Sequence, residues 1–98
     1  MTFTPRNDKV AVGTSSVELC PSLTNRERIL LVITNTSTAG QVIYLSDGQD
    51  GVVGYGIPLQ PNSSWAESRD SKYQLSNERI CAISSAVSGQ VSIRERIE

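Results

Sequence analysis

The chain has 98 residues, with 9 basic and 10 acidic side chains, a formal net charge of −1 and no histidine. With 38% hydrophobic residues it can build one modest core, so we expect a single small domain. The nearly neutral balance argues against a surface that neutralises a polyanion, and we expect no nucleic-acid partner. The chain also lacks the commonest general base and metal ligand, histidine, which disfavours an enzyme.

Cysteine usage and the N-terminal sequence bear on the compartment. Cys20 and Cys81 lie far apart with no second soft ligand beside either, which excludes a CxxC-type zinc or redox site. They form either one disulfide or, as is commoner in small sheet proteins, two separate core residues. Residues 1–8 contain no apolar run typical of a signal peptide, and the longest apolar run, residues 29–33, is far too short to span a membrane. We therefore expect a soluble protein without a cleaved export signal and without membrane insertion.

Short stretches rich in valine and isoleucine, separated by polar turns, predict strands and no helix. Residues 13–16 form a break or bulge between the first two strands, and residues 57–62 are an extended entry into a turn. The predicted strands are residues 9–12, 17–20, 28–34, 41–46, 64–67, 79–84 and 90–97.

The most apolar of these strands carries large side chains on both faces. Ile29, Leu31 and Ile33 point to one side, and Leu30 and Val32 point to the other. A strand of this kind lies in the middle of a sheet that is covered on both sides. In so small a domain, the second cover can come from another subunit.

Turn residues between neighbouring strands predict two hairpins. Residues 35–40 connect strand 28–34 to strand 41–46, and Ser88-Gly89 connects strand 79–84 to strand 90–97. About seven short antiparallel strands with turns at this spacing indicate an all-β chain folded as a single small β-sandwich, jelly-roll-like or immunoglobulin-like.

The last strand alternates between apolar and polar residues, the period of a half-buried strand. Its apolar set is Val91, Ile93 and Ile97, and its polar set is Ser92, Arg94 and Arg96. Glu95 is the one polar residue in the inward phase, so we expect it to meet Arg26 or Arg28 on a neighbouring strand.

No motif in the chain assembles catalytic or metal-binding chemistry. The serines have no histidine to activate them, and neither Lys9 nor Lys72 stands in an S-x-x-K motif. Asp47 and Asp50 could contribute oxygen ligands to calcium, but their spacing does not fit a calcium loop, and a plain hairpin loop is favoured. We therefore predict no catalytic residue, no cofactor and no metal.

Several residues are candidates for contacts with other molecules. Trp65 is expected to anchor the core or a subunit interface, although Trp65 with Tyr55 could instead form a sugar-stacking platform. Residues 1–8, with Phe3 as the apolar anchor, form either a frayed terminus or an extended arm on a neighbouring subunit, ahead of a sandwich domain of residues 9–98. The candidate interface residues are Phe3, Leu30, Val32, Asp47, Asp50, Tyr55 and Trp65.

Three segments together resemble a known kind of protein. They are residues 28–35 followed by 41–45, residues 56–64, and residues 80–84 followed by 89–95. Their order is similar to that of the small all-β structural proteins of tailed-phage and related virions, in which an R-x-L-x-I-x-N strand, a tyrosine-containing partner strand, a G-I-x-L-x-P-G turn and a V-x-V-x-E strand recur. Asn62 stands where that turn usually has glycine, and the resemblance covers about residues 26 to 97.

The resemblance implies a non-enzymatic structural protein of a virus particle: a capsid decoration protein, a head-fibre base or a minor capsid or tail component. Such a protein would form a trimer or pentamer, dock on other capsid or tail proteins, and reside in the virion after assembly in the host cytoplasm. Residues 29–33, Trp65, Val91 and Ile93 would form the core, and the N-terminal arm and residues 47–56 the contact surfaces. The alternative is a carbohydrate- or receptor-binding β-sandwich module of a tail or fibre.

Overall fold

The computed structural model describes residues 4–69, 75 and 77–98, and this part of the chain is built from β-strands. No helix in it is long and apolar enough to cross a membrane. The strands are β1 (Thr4–Val12), β2 (Val17–Cys20), β3 (Arg28–Asn35), β4 (Ile43–Asp47), β5 (Ile57–Leu59), β6 (Ser64–Ser68), β7 (Ile80–Ser84) and β8 (Gly89–Ile97).

The eight strands form two four-stranded antiparallel sheets. The first sheet has the order β1-β8-β3-β6, and the second has the order β2-β7-β4-β5. The predicted all-β sandwich is confirmed. The strand missing from the predicted set is β5, which occupies the start of the segment predicted as an extended entry into a turn.

The strand order is that of one long hairpin rolled up on itself. β1 pairs with β8, β2 with β7, β3 with β6 and β4 with β5, so the β4–β5 connection is the tip of the hairpin. Two further pairings, β8 with β3 and β7 with β4, close the roll. This is the eight-stranded order of a jelly roll, whereas in an immunoglobulin-like sandwich the first two strands are neighbours in one sheet.

Both predicted hairpins are wrong, because each connection crosses from one sheet to the other. β3 pairs with β8 and β6, and β7 pairs with β2 and β4. The Asn35 side chain shows why the first connection crosses: its amide nitrogen donates to the backbone oxygens of Gln41 and Leu59, both at 2.8 Å. This buried amide links the end of β3 to the second sheet, and the turn that follows cannot fold back along β3.

β1 begins at Thr4 and not at Lys9. Residues 4–8 pair with β8, from Thr4 opposite Ile97 to Asp8 opposite Ile93. The first sheet of the same chain therefore includes most of the predicted arm. Phe3 lies outside the described residues, and its contact with a neighbouring subunit stays a prediction.

The core lies between the two sheets and contains the inward residues of both. β3 is a central strand of the first sheet, as its two apolar faces predict. Leu31 and Ile33 are buried in the core, while Leu30 and Val32 are half-buried on the outer face. The buried apolar residues that form the core cluster are Val12, Leu19, Cys20, Leu31, Ile33, Ile43, Leu45, Leu59, Leu75, Ile80, Ala82, Val91 and Ile93.

A buried ion pair occupies one end of this core. Arg28 Nε donates to Glu95 Oε2 at 2.6 Å, and the two side chains are 0% and 1% exposed. The predicted contact between Glu95 and Arg28 is confirmed, whereas Arg26 donates to the backbone oxygen of Glu98. Arg6 on β1 adds a second partner, with its Nη1 3.2 Å from Glu95 Oε1.

The two arginines also bind backbone oxygens beyond the first sheet. Arg28 donates to the carbonyl oxygens of Pro21 at 3.1 Å and Glu78 at 3.3 Å. Arg6 donates to the carbonyl oxygen of Leu19 on β2 at 3.0 Å. The carboxylate of Glu95 thus holds two guanidinium groups that join the two sheets.

Both cysteines are buried and free, which agrees with the prediction of separate core residues. Burial, together with the negative charge of Glu95, raises the pKa of the Cys20 thiol to about 11. The thiolate is the nucleophile in alkylation, so Cys20 is chemically protected in the folded chain.

Glu95→Ala should lower the free energy of unfolding by about 3–5 kcal/mol, because it leaves the buried Arg28 guanidinium without its counter-charge. Equilibrium urea unfolding measures the change. Glu27→Ala is the matched control: it removes an exposed partner of Arg69 and should cost less than about 1 kcal/mol. Equal losses in the two variants would contradict a special role for the buried pair.

In a Cys81→Ser variant, Cys20 should react with a maleimide at pH 8 much more slowly in the folded chain than in urea. A rise in the Cys20 pKa from 9.0 to about 11 lowers the thiolate fraction at this pH about a hundredfold, and burial restricts access further. The raised pKa of Cys20 also contributes to the stability of the fold. This contribution is fully present below pH 9 and is lost as the pH rises towards 11. Mass spectrometry follows the labelling, and equal rates in both states would refute this account.

Candidate functional site

The β4–β5 connection, residues 48–56, carries the most conspicuous surface feature of the sandwich. Its backbone is determined by glycine: Gly48, Gly54 and Gly56 all have φ between 78° and 89°. Residues with a Cβ rarely adopt this left-handed region. The glycine-rich composition, which predicts a loop here, thus also permits its sharp changes of direction.

The loop folds back over the outer face of the second sheet. Gly51 donates its N–H to Ser16 Oγ at 2.8 Å, and a Cβ on Gly51 would lie 3.1 Å from the backbone of Ala82 and Ile83. Gly48 donates to the carbonyl oxygen of Arg79 at 2.7 Å. The loop therefore packs on β7 at Gly51 and is also held by hydrogen bonds to Ser16 and to Arg79, which precedes β7.

Apolar side chains project from this anchored loop into solvent. Val52, Val53 and Tyr55 are 50%, 47% and 70% exposed, and Ile57 at the start of β5 is 37% exposed. Among the described residues, the fifth large apolar side chain with such exposure is Val87, on a different connection. Single exposed apolar residues are ordinary, but a run of four within six positions marks a contact surface.

Two carboxylates lie beside the apolar side chains. Asp50 Oδ1 lies 3.0 Å from Arg79 Nη1, and this hydrogen bond is the main reason that the pKa of Arg79 is raised. Glu18, in register with Cys81, is exposed on the same outer side, whereas Asp47 falls in the inward phase of β4 with Ile43 and Leu45. We call Glu18, Asp50, Val52, Val53 and Tyr55 the loop surface.

The other predicted contact residues lie on the first sheet. Leu30 and Val32 are half-buried on its outer face, where they lie in register with Arg96 and Arg94 of β8. We call this outer face, with Lys9, Leu30, Val32, Arg94 and Arg96, the basic face.

Trp65 and Tyr55, the two residues of the predicted sugar-stacking platform, lie in different parts of the sandwich. Trp65 on β6 is in register with Ile33 on β3 and packs against the core. Tyr55 lies on the loop over the second sheet. The two rings do not form the exposed platform that sugar stacking by this pair would need.

Sequence reasoning missed part of both surfaces. Val52 and Val53 were included only as part of the glycine-rich loop of residues 47–56, and Lys9, Arg94 and Arg96 were not among the contact candidates. For Arg94 and Arg96 the signal was present, because their period-2 spacing in β8 places both on one face.

The structure shows no ready-made ligand set for a metal in the part of the chain that it describes. No three His, Cys, Asp or Glu side chains converge there. Asp50 of the candidate calcium pair is engaged by Arg79.

A concavity of about 490 Å³ is lined by polar groups of residues 25–27, Asn77 and Glu98, and by Leu23. It lies away from both contact surfaces.

No protein-family model matches the chain, and no curated protein sequence is significantly similar to it. Its likeness to virion proteins therefore stays a prediction. The function is therefore inferred from the loop surface and the basic face.

Two glycines of the loop form a matched pair for testing how the loop surface is held. Both Gly54→Ala and Gly56→Ala should lose about 1–2 kcal/mol of unfolding free energy from left-handed backbone strain. A Cβ on Gly54 meets nothing, whereas one on Gly56 would overlap the Leu45 carbonyl oxygen, so Gly56→Ala should lose about 1–3 kcal/mol more. Urea unfolding compares the variants, and identical losses would show that the loop is not packed on β4.

Proposed function

We propose that this protein is a non-enzymatic structural component of a virus particle. It acts by assembling with copies of itself and by docking on other capsid or tail proteins, and it resides in the virion after assembly in the host cytoplasm. It needs no cofactor, nucleic acid or membrane for this role.

The observation that carries the proposal is the loop surface. A glycine-shaped loop, anchored to β7, holds Val52, Val53 and Tyr55 in solvent although the core is complete without them. Exposed apolar side chains that do not serve the fold are typical of surfaces that bind another protein.

The strand order supports the assignment to a virus particle. Eight-stranded jelly rolls occur in viral capsid proteins, and also in lectins and cupins. This argument is one of fold-level analogy, since one fold serves many functions. It agrees with the resemblance of residues 26 to 97 to small virion proteins.

A second candidate, a carbohydrate- or receptor-binding module of a tail or fibre, has one observation in its favour. A groove of about 240 Å³ is lined by Ser46, Gln49, Asp50, Val52 and Tyr55, which combine an aromatic ring with polar hydrogen-bonding groups. The core position of Trp65 removes the larger platform. A glycan-array signal that is lost in Tyr55→Ala but retained in Trp65→Phe would favour this candidate.

Self-assembly is tested by size-exclusion chromatography with light scattering at micromolar concentration. The expected mass is a multiple of the 10.6 kDa chain, a trimer or pentamer if the symmetry is closed. The mass should fall on dilution, because assembly follows mass action. A well-folded monomer at every concentration would refute self-assembly.

The location is tested separately on particles purified from the source culture in a density gradient. Peptides of this chain should travel with the particles and remain with them through a second gradient at the same ionic strength. Recovery of the chain only in the unassembled fraction would contradict a place in the virion.

A further inference from the structure

We propose that the loop surface of one copy docks on the basic face of the next copy, in a head-to-tail contact. This inference rests on the proposed self-assembly and specifies the two surfaces that make it. The occupant of each surface is a second copy of this chain.

The basic face is uniform in charge. Arg94 and Arg96 are exposed on β8, and Lys9 is exposed on β1. Lys9 is in register with Ser92, in the same phase of β8 as Arg94 and Arg96, so all three side chains leave the first sheet on the side opposite the core. No carboxylate occupies an outward position in the described strands of this sheet, because Asp8, Glu67 and Glu95 all fall in the inward phase.

The basic face also carries an apolar strip. Val32 lies between Arg94 and Ala66 in the register of the sheet, and Leu30 lies between Arg96 and Ser68. Leu30 and Val32 retain part of their exposure in the single chain. The face therefore offers an apolar strip with cations along one side.

The loop surface offers the complementary pattern. Val52, Val53 and Tyr55 provide exposed apolar area, and Asp50 and Glu18 provide negative charge beside it. One described cation, Arg79, lies near these two carboxylates, and it is ion-paired with Asp50. An exposed tyrosine ring is also a good partner for an arginine guanidinium.

Charge decides between a head-to-tail contact and a symmetric one. Two loop surfaces facing each other would bring carboxylates together, and two basic faces would bring together Lys9, Arg94 and Arg96 of both copies. Like charges across an interface cost free energy, whereas the mixed pairing places opposite charges beside the apolar residues that the two surfaces share. The two surfaces therefore fit each other better than either fits itself.

The position of the two surfaces agrees with such a contact. The loop surface covers the outside of the second sheet, and the basic face is the outside of the first sheet. Each copy can therefore bind one neighbour on each side with the same pair of surfaces, which is a heterologous contact. Contacts of this type produce rings when the rotation between copies closes and filaments when it does not.

The test uses two variants, each lacking one surface. The loop variant is Val53→Ser with Tyr55→Ser, and the face variant is Arg94→Glu with Arg96→Glu. Each alone should be monomeric, with its association weakened about tenfold or more. An equimolar mixture should form a dimer and nothing larger, because it retains one intact loop surface and one intact basic face.

Two controls separate docking from folding. Val87→Ser changes an apolar residue as exposed as Tyr55 but on another connection, and it should assemble like the unchanged chain. Arg94→Lys with Arg96→Lys keeps the charge and should retain assembly. Circular dichroism and thermal unfolding verify that each variant is folded.

A measurement on the unchanged chain avoids variants that fail to fold. Raising the salt concentration from low ionic strength to about 1 M shortens the Debye length to about 3 Å and should shift the assembly towards monomer. Salt-independent assembly would overturn the charge-complementary contact.

The outcomes separate this inference from the proposed function. If the unchanged chain is monomeric, the proposed self-assembly fails. If the chain assembles but the loop and face variants also assemble, self-assembly stands and this contact is wrong. If both variants are monomeric and their mixture forms no dimer, the contact is not head-to-tail.

Discussion

The buried carboxylate of Glu95 is the constraint on which the rest of the sandwich depends. It lies in an inward position of β8 and binds Arg28 and Arg6, which in turn bind backbone oxygens beyond the first sheet. A one-residue slip of β8 would turn Glu95 to solvent and bury Arg94 and Arg96. The main effect of the buried Glu95–Arg28 pair is to specify a single register of β8, and its net contribution to the free energy of folding is smaller. The same register that buries Glu95 creates the basic face.

A second polar group closes the opposite end of the core. The Asn35 amide binds Gln41 and Leu59 through its nitrogen, and its Oδ1 accepts the N–H of Ser37. No buried side-chain nitrogen or oxygen atom in the described residues lacks a partner. Apolar burial between these two ends supplies the general driving force, and the polar groups determine which strands meet. The β4–β5 connection, at the tip of the rolled hairpin, belongs to neither of these polar groups, so its side chains can be exposed without disturbing them.

Local patterns in the sequence predict what each strand does but not which strand it meets. The alternation in β8 predicts its inward set and the contact between Glu95 and Arg28, and the two apolar faces of β3 predict its central place. The same alternation fits a hairpin and a crossing between sheets equally well, so both hairpins were predicted wrongly. The deciding groups, such as the Asn35 amide, act between residues far apart in the chain. Composition likewise predicts a loop at residues 48–56, but not that its packing on β7 leaves Val52 and Val53 in solvent.

The packing of β3 bears on the assembly that is proposed for this chain. Another subunit was expected as one source of cover for the second apolar side of β3, and Leu30 and Val32 are half-buried within one chain. In the proposed assembly, folding therefore precedes association, and the subunits meet already folded. Interfaces between prefolded partners have an apolar centre, a charged rim and a moderate area, in contrast to the large apolar interfaces of obligate oligomers. On the basic face the apolar strip has cations along one side, and on the loop surface the apolar side chains lie beside Asp50 and Glu18. In the proposed role, such an interface would let a small component join a larger shell without unfolding its subunits.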